Sequence, residues 1–101
     1  MITFEKQAVK VFKALADPTR YKIVRLLAQK VELSCSDFDR EFDISKPAMS
    51  HHYRILENAE LIITRKQGTH VFVSLNWDIL NQFVPSFALT HLTNEVITEL
   101  S

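Results

Sequence analysis

Helical apolar spacing through the first half, two β-branched segments around the single glycine, and a return to helical spacing afterwards predict the fold class. It is mainly α with one β-hairpin (α+β): about five helices plus a two-stranded wing. The chain has 101 residues, 47% of them apolar, which suits one compact domain spanning 1–101. A domain this small buries a modest share of its surface and often leans on a partner.

From Thr3 onward, Phe4, Ala8, Val11, Phe12 and Leu15 recur at helical spacing. Asp17-Pro18 ends that helix and opens the next, since Asp caps well and Pro suits the first helical position. Tyr21, Val24, Leu27 and Ala28 form the second stripe. Ser34-x-x-Asp37 resembles a capping box with a shortened acid and opens a short helix bearing Phe38 and Phe42. Asp43-Ile44 makes a tight turn. Ser45 then caps a helix that carries Pro47 in its first turn and runs over 45–59.

The period then changes. Leu61–Arg65 and His70–Leu75 are rich in β-branched and aromatic residues and predict a hairpin, with its wing over 62–75. Gly68 sits at the tip, where positive φ is most useful. Asn76 is expected to cap a last helical region with Phe83, Phe87, Leu92, Val96 and Leu100 on its apolar face. Pro85 should split that region. Two short helices joined by a tight turn and followed by a hairpin describe a winged helix-turn-helix.

Net charge is zero, which does not by itself select a nucleic acid. The distribution says more. Residues 1–30 carry seven Lys/Arg against two acids, and residues 31–45 carry one against five. Residues 46–75 carry four against two, and residues 76–101 none against three. No run of about 18 apolar residues exists, so no membrane partner is expected. The first ten residues lack a signal-peptide stretch, and the one cysteine, Cys35, fits a reducing compartment.

The helix over 45–59 has two chemically distinct faces. With Met49 set at zero and about 100° per residue, Tyr53, Leu56 and Glu60 fall near it and His52 somewhat aside. Pro47, Ser50, His51, Arg54 and Asn58 fall on the opposite side. That side offers a hydroxyl, an imidazole, a guanidinium and an amide, groups able to touch base edges and phosphates. The N-terminal half of such a helix approaches bases most closely, which adds Lys46. Arg65, Lys66, Thr69 and His70 on the hairpin would meet the neighbouring backbone or minor groove. The bland alternative is an ordinary solvated helix and turn.

Three segments resemble a known family. Phe12-Lys-Ala-Leu-Ala-Asp-Pro-Thr-Arg20 with Ile23-Val-Arg-Leu-Leu27 resembles the opening signature of ArsR-type bacterial repressors. Ile44-Ser-Lys-Pro-Ala-Met-Ser-His-His52, with Leu56-Glu-Asn-Ala-Glu-Leu61, resembles their recognition helix and its exit. Arg65-Lys-Gln-Gly68 with Val71-Phe-Val73 resembles their wing. The resemblance implies a cytoplasmic homodimer that binds double-stranded DNA at a palindromic operator and leaves it when an inducer acts. It also implies DNA contact by Lys46, Pro47, Ser50, His51 and Arg54, and wing contact by Arg65, Lys66, Gln67 and His70. The first and last helices would form the dimer seam, which places Phe4, Val11, Phe83, Phe87, Leu92 and Val96 there.

The family's metal sites match poorly. Ser34 and Ser36 stand where a Cys-x-Cys pair would bind thiophilic ions, and a hydroxyl is a poor ligand for them. The second site needs an Asp-x-His, but Asp78 is followed by Leu80. His91 and Glu95, one helical turn apart, could share an ion, though a surface pair is the simpler reading. No metal and no cofactor are therefore expected. A cysteine at the position of Cys35 usually reads as core; the alternative is a redox switch, since a place near a helix start would lower the thiol pKa. No enzyme activity is expected: Cys35 with a histidine lacks a third orienting group. His51 and His52 diverge by about 100° and do not chelate naturally. Two rivals stand beside the repressor reading. One is a metal- or redox-responsive repressor of the same fold. The other is a winged-helix protein-interaction module, which zero net charge favours. No motif identifies the inducer, the operator or the regulated genes.

Overall fold

The computed structural model describes residues 3–87. Among them the order is α1 (Phe4–Leu15), α2 (Pro18–Gln29), β1 (Leu33–Ser34), α3 (Cys35–Glu41), α4 (Lys46–Asn58), β2 (Ile62–Gln67), β3 (His70–Leu75) and α5 (Trp77–Phe83). This is a winged helix-turn-helix of five helices with a three-stranded antiparallel sheet in the order β1-β3-β2.

Local chemistry sets most boundaries. The Thr3, Asp17 and Ser45 side chains accept from the backbone N–H three residues on, closing the first turns of α1, α2 and α4. Ser34 and Asp37 form a reciprocal capping box at α3, with bonds of 3.1 and 2.9 Å. α4 ends without glycine. Glu60 takes φ 62° while its N–H bonds Glu57 O at 2.8 Å and the Leu61 N–H bonds Leu56 O at 3.0 Å. This is the Schellman pattern, and the buried Leu56 and Leu61 supply its usual apolar contact. Glu60 is exposed, past the helix end, so it does not extend the inward face as its helical angle suggests. Asn76 takes the N-cap position of α5 but its side chain caps nothing. α5 stops at Phe83, ahead of Pro85 as expected, and Ser86 adopts φ 60°.

The sheet departs from the sequence-based expectation of a two-stranded wing. The hairpin forms as expected, with Gln67 opposite His70 and Gly68 at φ 63°, the first of two turn residues. Leu33 and Ser34 then add a third strand opposite Val73 and Phe72. Two residues are too short to show a period, so nothing local marks them.

Ile23, Val24, Leu27, Phe38, Leu56, Leu61, Val73 and Leu80 are completely buried and join every layer into one core. Each contributes about 1.5–3 kcal/mol relative to exposure. α4 lies against α1, α2 and β2, so the core fixes its inward face. The α1 stripe splits: Val11 and Ala14 point into the core, while Phe4 and Phe12 stay exposed. This corrects two seam expectations. Val11 and Phe87 are 0% and 1% exposed inside the protomer, so they serve its core rather than an open face. Leu92, Val96, Leu100, His91 and Glu95 lie outside the described residues.

Candidate nucleic-acid interface

Ser45 Oγ accepts from the Ala48 N–H at 3.3 Å, and Pro47 occupies the first turn, where it loses no helical hydrogen bond. These two residues start α4 cleanly after the turn from α3. Met49 and Leu56 then anchor it from beneath. The result leaves Lys46, Pro47, Ser50, His51 and Arg54 exposed on the other side, with Asn58 beyond them. At 1.5 Å per residue, Lys46 to Arg54 spans about 12 Å, comparable to the width of a major groove. Among the described residues, Arg54 has no ion pair or hydrogen bond. The positive end of the helix dipole and Lys46 lie at the same end.

The wing is less uniform than the sequence suggests. Lys66 and His70 are exposed. Arg65 is already engaged: Nε and a terminal nitrogen donate to the two Glu32 oxygens at 3.3 and 2.8 Å. Its other terminal nitrogen donates to Gln67 Oε1 at 2.9 Å, and the guanidinium sits 4.6 Å from the Phe72 ring centre. The hydrogen bonds from Arg65 hold the Glu32 carboxyl below the ordinary glutamate range, against some desolvation. Arg65 and Gln67 are thus tied to each other and to β1's approach, whereas Lys66 and His70 face solvent. Glu32 escapes sequence reasoning because its partner is 33 residues away; only its place in the acidic stretch hints at a role.

A second cluster lies behind the exposed face. Arg20 on α2 donates to the carbonyls of Ala14 and Lys13 at 2.8 and 3.4 Å and to His52 Nδ1 at 3.2 Å. Asp17 Oδ2 lies 3.9 Å from the same ring nitrogen. Partial burial lowers the affinity of His52 for a proton, Arg20 and His51 lower it further, and Asp17 opposes them; the net direction is down. Partial burial works against the Asp17 carboxylate. The Arg20 N–H bond and the Arg20 and His52 charges outweigh it and hold that carboxyl below the ordinary range.

Cys35 is half-buried and packs against the core, as the core alternative expects, and the redox alternative loses its lowered thiol pKa. Burial pushes its pKa up, the Asp39 charge adds to this, and the Tyr53 hydroxyl only partly opposes it. The short α3 does not overcome desolvation. Tyr53 is itself pushed up, first by burial and then by Cys35, and its hydroxyl is buried without a well-formed hydrogen bond. Ser34 is committed to the α3 cap and Ser36 is exposed. Among the described residues, no three His, Cys, Asp or Glu side chains gather to hold a metal. No described helix is long and apolar enough to cross a membrane.

Comparison with known proteins follows the same lines. A family model described as a helix-turn-helix domain matches residues 15–65, from the end of α1 into the wing. The chain is 42% identical over 74 residues to the transcriptional repressor SdpR of Bacillus subtilis, covering 73% of this chain and 81% of that one. It is 32% identical over 90 residues to an arsenical resistance operon repressor of Staphylococcus aureus, covering 89% and 86%. The crystal structure of an ArsR family transcriptional regulator superimposes with a TM-score of 0.72 at 26% identity, covering 97% of both chains.

Proposed function

Since the chain belongs to the ArsR-type winged helix-turn-helix repressors and is a DNA-binding transcriptional regulator, we propose that it works as a cytoplasmic homodimer on a palindromic operator. Each protomer lays α4 in a major groove, where Ser50, His51 and Arg54 meet base edges and phosphates and Lys46 and Pro47 lead the way in. Lys66 and His70 on the wing touch the adjacent backbone or minor groove. Arg65 and Gln67 brace the wing and add contact at its base. The twofold axis spaces half-sites by about one helical turn or a multiple of it. Occupancy of the operator keeps polymerase out.

The observation that carries this reading is the exposed side of α4, where two cations, one imidazole and one hydroxyl stand in the open and no described element covers them. Fluorescence anisotropy at stated salt, with the upstream region of its own gene against a shuffled duplex, is the test. The expected result is a preference of about 10³-fold or more for the former. Equal affinity for both duplexes would defeat the proposal.

A further inference from the structure

The exposed face of α4 can read a sequence only if the helix is held at one rotation about its axis. Met49 and Leu56 hold it down, but apolar contact is non-directional and tolerates small rotations. A hydrogen bond is directional. His52 lies between those two anchors and directly follows His51, so a bond on its ring fixes the angle at which Ser50, His51 and Arg54 leave the surface.

Arg20 supplies that bond, and its other contacts explain why it is a firm one. Ala14 and Lys13 lie in the last turn of α1, where carbonyls run out of regular helical partners and the dipole is negative, though Lys13 O also takes the Ala16 N–H at 3.3 Å. The guanidinium satisfies Ala14 O at 2.8 Å and reaches Lys13 O at 3.4 Å. The Arg20 backbone N–H is held in turn by Asp17 at 3.1 Å. Every guanidinium nitrogen therefore has an acceptor, and the third acceptor is His52. Arginine has no lone pair to offer, so Nδ1 accepts and the ring proton of neutral His52 sits on Nε2.

We infer that Arg20 is a positioning residue for DNA reading: it clamps the end of α1 to the recognition helix through the neutral ring of His52. The inference rests on the proposed role of α4. It also joins the helix with the open apolar face, α1, to the helix that meets DNA. Protonation of His52 removes the acceptor and sets a cation against Arg20. The charged groups facing the ring are Asp17 and Arg20 at the start of α2 and His51 on its own helix; α1 contributes backbone carbonyls. The ring is held neutral, so the clamp is intact above the ordinary histidine pKa and is lost as pH falls through the lower folded value.

The test uses the whole chain and three proteins: the parent, Arg20→Lys and His52→Asn. In His52→Asn the Oδ1 stands near the former Nδ1 and never titrates. At about pH 7.5 Arg20→Lys should lose about tenfold in operator affinity, because one ammonium cannot reach both α1 carbonyls and the ring. Its salt slope and dimer content should stay unchanged. His52→Asn should stay within about threefold of the parent at that pH, and the parent should lose affinity relative to it as pH falls below the ordinary histidine range, by about twofold once pH reaches the folded His52 pKa. Nitrogen-resolved imidazole spectra without DNA should show the His52 proton on Nε2, with a pKa that changes in Arg20→Lys. An Arg20→Lys variant that binds like the parent, or a His52 proton on Nδ1, overturns the inference while leaving the repressor reading intact. A parent with no sequence preference overturns both.

Discussion

α1 and α4 are helices of 12 and 13 residues that bury one side in the same core and expose opposite chemistry. α1 leaves Phe4, Val9 and Phe12 at 64%, 46% and 53% exposure, with Phe4 touching Phe83 of α5 at 5.1 Å between ring centres. α4 leaves Lys46, Ser50, His51 and Arg54 exposed. A row of apolar side chains in water is a cost that a second apolar surface removes. A row of donors with two cations is already at ease in water and gains only from a polyanion whose counterions it displaces. The proposed partners divide the same way: a copy of the chain for α1, duplex DNA for α4.

The largest expected effect breaks the α1 side. Phe12→Glu removes a phenyl whose burial contributes about 1.5–3 kcal/mol, and a twofold seam counts the loss twice. A carboxylate in that seam would also need desolvation. Sedimentation should show a monomer where the parent is a dimer, with at least a 100-fold weaker association by that bookkeeping. The monomer should keep the protomer's fold, because the side chain is half exposed within it, but should melt below the parent, which dimer association stabilises. A dimer that persists would move the seam away from α1.

The next effect falls on α4. Arg54→Ala touches no core residue, so folding and dimer content should hold. Operator affinity should drop by about 1–3 kcal/mol per half-site if Arg54 meets a base, and discrimination at one position of each half-site should relax with it. An unchanged affinity would take Arg54 off the contact face and leave Ser50 and His51 as its readers.

The parts of this molecule that were legible in its sequence obey rules with a reach of a few residues. Asp17-Pro18, the Ser34–Asp37 box, Ser45 with Pro47, and Gly68 each act within one turn, and each boundary fell where its chemistry required. The two faces of α4 follow from helical angle alone. The rest depends on partners far apart in the chain. The Leu33–Val73 pairing, the Arg65–Glu32 bridge and the Arg20–His52 contact span 32 residues or more, and no local pattern announces them. The α1 stripe shows a further limit. Phe12 and Val11 look alike in an apolar count, and only the packing of α2 and α4 decides which of them stays outside.

The wing gives the smallest and most discriminating test, because it sets two adjacent cations in different states. Lys66 is exposed, while Glu32 already neutralises Arg65 in a two-point contact. A cation that neutralises a phosphate releases a counterion, and each such release adds about 0.9 to the slope of log affinity against log salt. Lys66→Ala removes one such contact from each protomer of the dimer, so it should reduce that slope by about 1.8, weaken operator and random duplex alike, and leave sequence preference intact. Arg65→Ala should change the slope less, since its charge is largely spent on Glu32, and should act through a looser wing. Equal slope changes for the two would mean that DNA pulls Arg65 away from Glu32. Both charged side chains of the hairpin would then face the phosphates, as proposed for the exposed side of α4.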